Sequence, residues 1–103
     1  MSDTAPVPYK ITDVWDEVTL PAAIRGDHST KAGTWGLLKV LEGSVWLVFH
    51  DPGHRVHVVP GQPAPIAPQA LHHVEIAGPM RMQVEFYREP PLPPRQAGPA
   101  GQD

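Results

Sequence analysis

Residues 34–50, TWGLLKVLEGSVWLVFH, form the most hydrophobic, strand-like run in the chain and decide its class. Its apolar positions are rich in β-branched and aromatic residues, which suit a pleated, half-buried surface. The run is interrupted once, at Glu42-Gly43-Ser44, where a turn signal leaves two halves of strand length. Read locally, that is a β-hairpin.

The flanking sequence repeats this pattern of short extended runs and breakers. YKITDVW (9–15) reads as a first strand, and the segment that follows offers one short helical turn, interrupted by Pro21, and then a loop. DPG (51–53) reads as a turn, HRVHVV (54–59) alternates, and PGQPAPIAP (60–68) has room for only a short strand around Ile66. HHVEIA (72–77) is short and extended, Gly78-Pro79 turns the chain, and MRMQVEFY (80–87) has period two. Fourteen prolines and nine glycines cut the chain too often for a helical bundle. Seven or eight short strands with turns roughly every ten residues point to an all-β fold, a single antiparallel sandwich or barrel. The expected organisation is a flexible N-terminus over 1–8, a folded domain over 9–89, and a Pro/Gly-rich disordered tail over 90–103.

Composition narrows the function. A chain of 103 residues supports one modest core. The net charge of −3, with Lys and Arg scattered singly, gives no clustered basic surface for nucleic acid. Absence of cysteine excludes disulfides and thiolate metal sites. The first ten residues carry no export signal pattern and no apolar run is long enough to span a bilayer, so the expectation is a cytoplasmic protein without membrane contact.

Six histidines are many for this length. His50, His54 and His57 cluster about the DPG turn and read as solvent-facing. His28, in RGDHSTKAGTWG (25–36), and His72 and His73, in PQALHHVE (68–75), sit instead where loops meet apolar strands. Neutral imidazole is a common metal ligand, often combined with a carboxylate. Strand alternation lets only one of the adjacent histidines face inward, and Val74 as a core residue favours His72. Glu85, inside QVEFY, reads as an outward salt bridge, or as an inward carboxylate compensated by a cation. Lys31 reads as a solvated loop residue or as the partner of an anionic ligand. Trp35, Trp46 and Phe86 read as core aromatics or as pocket walls.

The order H-x-T-K-x-G-x-W-G from His28, then Glu42-Gly43, then IAPQALHHVE, then MQVEFYREP, resembles the TehB/YeaR-like small domain family associated with tellurite resistance. The resemblance runs from about Tyr9 to Glu89 and implies a cupin-like antiparallel β-barrel or jelly roll. It also implies a metal site of His28, His72 and Glu85 holding one divalent ion (zinc, iron or nickel), with His73 a rim residue or occasional fourth ligand. Lys31 and Trp35, from their own reading, join His73 as the expected ligand-binding residues. The usual cupin glutamate would fall at Gly36, and Ser29, Thr30 and Lys31 stand where a second histidine would follow His28. This lowers the expectation of dioxygen chemistry.

The resulting expectation is a metal-binding cupin-type protein that captures a small anionic ligand or acts in oxyanion or nitrosative stress handling. The second is a small metal-dependent enzyme of oxygenase, isomerase or hydrolase type. Either could form a homodimer through an edge strand.

Overall fold

The computed structural model describes residues 6–50 and 53–91. Asp51 and Pro52 of the expected turn, residues 1–5, and residues 92–103 of the expected tail lie outside the described residues.

The described residues form eight strands and one short helix: β1 (Lys10–Ile11), β2 (Trp15–Asp16), α1 (Ala22–Arg25), β3 (Trp35–Glu42), β4 (Val45–His50), β5 (Gly53–Val58), β6 (Ala64–Ile66), β7 (His72–Ile76) and β8 (Arg81–Tyr87). The expected first strand is two two-residue pieces, both paired with β8. Between β2 and α1, Asp16 Oδ1 accepts the main-chain N–H groups of Val18 and Thr19 at 2.8 Å. These bonds, Thr19 first, hold the Asp16 carboxyl below its ordinary pKa. Pro21 stands at the start of α1 and does not interrupt a helix, because its fixed φ of −58° suits that position.

Among the described residues all strand pairings are antiparallel and fall into two sheets. One runs β1-β8-β3-β6 with β2 beside β1 on the same edge of β8, and the other runs β5-β4-β7. The all-β class holds. The two sheets face each other across a shared core: Leu38, Val40, Ile66, Met82 and Val84 from the first meet Val45, Leu47, Val58 and Val74 from the second. Among the described residues no strand pairing joins the sheets into a closed barrel.

The expected hairpin at residues 34–50 is corrected here, since β3 pairs with β6 and β8 while β4 pairs with β5 and β7. The chain changes sheets at the turn. A register shift between Val40 and Glu42 bends the end of β3. Gly43 then takes φ +74°, and a Cβ there would lie 2.3 Å from the Pro79 carbonyl oxygen. Only glycine satisfies both the backbone angle and this close approach. Two amphipathic strands joined by a turn read alike whether they pair or face each other, which is why the local sequence suggested pairing.

Candidate functional site

Where the sheets separate, they enclose a cavity of about 380 Å³. Leu38, Ile66, Val74, Val84 and His72 are buried and form its floor; Trp15 and Phe86 are half-buried along its walls. Tyr9, Lys10, Ser29 and Lys31 also line it and are exposed, which places them at the mouth. Gly36 leaves space on β3, for a Cβ there would make only ordinary contact with Ile66, at 3.5 Å.

The loop carrying His28 to Lys31 is fastened over this cavity by main-chain bonds. His28 N donates to His72 O at 2.9 Å, and His72 N donates back to His28 O at 2.8 Å. The Thr30 hydroxyl donates to Ala67 O at 3.0 Å and accepts from Gln69 N at 3.0 Å. Gln69 itself sits at φ +63°, a left-handed conformation held by these contacts.

The two imidazoles lie with ring centroids 4.2 Å apart. His72 is 2% exposed, and burial, ahead of the neighbouring histidines, lowers its pKa from 6.5 and keeps it neutral. Its Nδ1 lies 2.7 Å from Ala70 O, and His28 Nδ1 lies 3.0 Å from Gly26 O. A carbonyl oxygen only accepts, so each Nδ1 carries a hydrogen, and a ring with that hydrogen alone presents an Nε2 lone pair.

His73 points to the opposite face of β7. There His50 Nε2 lies 3.0 Å from Asp27 Oδ1 and 2.8 Å from His73 Nδ1, while His73 Nε2 meets Glu75 Oε2 at 3.0 Å. Among the described residues, Asp27, His50 and His73 are the one group of three candidate metal-ligating side chains whose ligand atoms all lie within 4.8 Å of one another. Its contacts suit a hydrogen-bonded network that ties the Asp27 loop to the second sheet.

The other expected site residues separate. Glu85 faces away from the cavity, where Lys39 Nζ lies 3.3 Å from its Oε2 and the Tyr87 hydroxyl donates to its Oε1 at 2.7 Å. Burial first, and then Glu85, raise the Tyr87 pKa to about 12. Trp35 lines a separate, shallower groove with Phe49, Pro63 and Pro65. Trp46 stacks on His57 at 4.5 Å beneath the Arg55 guanidinium. Lys31, His28 and His72 share the cavity; Trp35, His73 and Glu85 do not.

Sequence reasoning missed the N-terminal wall. Lys10, Thr12 and Trp15 reach the cavity because β1 and β2 lie along β8. The even spacing of Lys10 and Thr12 in YKITDVW was the available signal. It also missed the Asp27–His50–His73 network, which joins residues far apart in sequence.

Comparison with known proteins completes the description. The family model of the TehB-like domain matches residues 10–84. Two curated relatives, from two strains of Haemophilus influenzae, are each described as a probable S-adenosyl-L-methionine-dependent methyltransferase TehB. Each is 38% identical over 74 residues, which is 65% of this chain and 25% of the relative, so the chain spans about a quarter of their length. The crystal structure of TehB from H. influenzae superposes with a TM-score of 0.72 at 30% identity, covering 81% of this chain and 31% of that one. A protein from E. coli (strain K12) shares the fold with a TM-score of 0.73 at 22% identity, over 84% of this chain and 94% of its own.

These findings correct the expected chemistry. The relatives are described by a methyl-donor cofactor, which overturns the metal-binding cupin-type protein and its one divalent ion, while the alternative, an enzyme acting on a small molecule, is partly compatible with them. Glu85, the carboxylate of the expected set, lies on the outer face of β8 beside Lys39 and Tyr87.

Proposed function

The chain belongs to the TehB-like domain family, and from that premise we propose that it holds the methyl acceptor of a methyltransferase, a small molecule bearing an anionic group. The observation that carries this reading is the cavity itself, with an apolar floor, aromatic walls, and Lys10 and Lys31 at the mouth. An anion is drawn to the two ammonium groups, while the body of the molecule is desolvated against Leu38, Ile66 and Val84.

The methyl donor fits this cavity poorly. S-adenosylmethionine bears a sulfonium cation and ribose hydroxyls, which call for negative charge and acceptors. Among the described residues no Asp or Glu lines the cavity. Nor do the described strands, all antiparallel, supply the crevice at the ends of a parallel sheet where nucleotide-bearing cofactors commonly sit. The acceptor, and not the donor, is therefore assigned to this chain. Homodimerisation through β5, an edge strand among the described residues, and a cytoplasmic setting belong to the same proposal.

Calorimetric titration of the chain with benzoate and, separately, with S-adenosylmethionine tests the reading. Benzoate should saturate one site, and Lys31→Gln or Lys10→Gln should weaken it several-fold. Saturable binding of S-adenosylmethionine in competition with benzoate would refute it, as would no binding of small acids.

A further inference from the structure

The cavity has polar groups of opposite demand at its two ends. The mouth carries the Lys10 and Lys31 ammoniums, which only donate hydrogen bonds. The floor carries His72, 2% exposed, with His28 beside it. Their Nδ1 atoms are committed to Ala70 O and Gly26 O, which leaves Nε2 of each ring outside those bonds and, in a ring carrying a single hydrogen, an acceptor. Among the described residues no protein donor is hydrogen-bonded to either Nε2. A buried acceptor such as Nε2 of His72 is costly unless something in the cavity donates to it.

We infer that the cavity selects a bifunctional ligand, a small hydroxylated acid, whose hydroxyl donates to Nε2 of His72 or His28 while its acidic group meets Lys10 and Lys31. This rests on the reading of the cavity as a site for an anionic acceptor and adds the donor at the buried end. An acid lacking the hydroxyl fills the same space but leaves the floor acceptors unpaired. Sites built to pair a ligand hydroxyl discriminate strongly against analogues without one. Lys31 and His28 lie on one loop, so both ends of the ligand are gripped by a single segment, fastened to β7 by the reciprocal His28–His72 bonds.

The test compares 4-hydroxybenzoate with benzoate and 4-fluorobenzoate by calorimetry on the full chain. Fluorine nearly matches the hydroxyl in size and cannot donate. The expected result is that 4-hydroxybenzoate binds about tenfold or more tightly than either analogue, the worth of one hydrogen bond. In His72→Phe and His28→Phe, each checked for folding by its thermal transition, the ratio of 4-hydroxybenzoate to 4-fluorobenzoate affinity should fall towards one, whatever the change in benzoate affinity itself. The half-buried His28 variant keeps the test open if the His72 variant does not fold. Equal binding of all three acids to the unaltered chain overturns this inference and leaves the proposed function standing. Failure of all three to bind overturns both.

Discussion

His28 and His72 exchange main-chain hydrogen bonds in both directions, at 2.9 and 2.8 Å, with their rings 4.2 Å apart. The pairing behaves as a one-residue extension of the second sheet. It brings the loop of residues 26–34 to the cavity and makes the geometry of the mouth depend on a contact at the floor.

His72 should make stability depend on pH in one direction. Its pKa is lowered in the folded state, so the unfolded chain binds the proton more readily between the folded value and 6.5. This contribution is whole above pH 6.5 and is lost as pH falls through the folded value. Urea midpoints measured from pH 7.5 downward should fall more steeply for the unaltered chain than for His72→Phe. Parallel curves would remove the role assigned to burial.

Gly43 should be the least replaceable of the described glycines. Gly43→Ala combines a left-handed φ with a clash against the Pro79 carbonyl and should cost more than ~2 kcal/mol. Gly33→Ala meets nothing within 4 Å at φ +77°, so it bears the backbone term alone, about 1 kcal/mol. Chemical denaturation of both variants ranks them directly, and the reverse order would contradict the account of the sheet crossing.

Gly36 separates folding from binding. Its added Cβ lies 3.5 Å or more from Ile66 and Val84, so Gly36→Ala should change stability by less than ~1 kcal/mol. Gly36→Leu projects side-chain volume into the cavity and should abolish benzoate binding in a chain that still unfolds cooperatively. Undiminished affinity would place the ligand elsewhere.

Tyr87 should ionise late. Its phenol, buried and donating to Glu85, has a pKa near 12 against an ordinary 10.0. A pKa raised on folding gives stability that is complete below pH 10 and lost as pH rises through about 12. Phenolate absorbance near pH 11 should therefore be incomplete in the folded chain and increase in Glu85→Gln. An unchanged titration in that variant would detach Tyr87 from Glu85.

Much of the strand content was legible because alternation and turn residues are local properties. β5 to β8 fall where HRVHVV, Ile66, HHVEIA and MRMQVEFY place them. Sheet membership was not, since β3 and β4 carry the same apolar pattern they would carry as a hairpin, and only the space beside Gly43 distinguishes the two. The burial of His72 could be anticipated from its phase with Val74. The direction of Glu85 could be read as outward from Val84 and Phe86, and the family resemblance pulled it inward. The cavity walls contributed by Lys10 and Trp15 depend on β1 and β2 lying along β8, a long-range relation that no short window of sequence contains.

Those two short strands also bear on kinetics. Tyr9 and Thr12 are tied to β8 by Tyr9 N to Phe86 O at 2.8 Å, Thr12 N to Val84 O at 3.0 Å, and Val84 N to the Thr12 hydroxyl at 3.0 Å. Opening of this wall would cost these edge hydrogen bonds and the packing of Trp15 on the core, while leaving Leu38, Leu47 and Met82 packed behind it. Association rates would then be set by the breathing of residues 9–16, and a bound ligand would be felt first as slowed amide exchange in that segment.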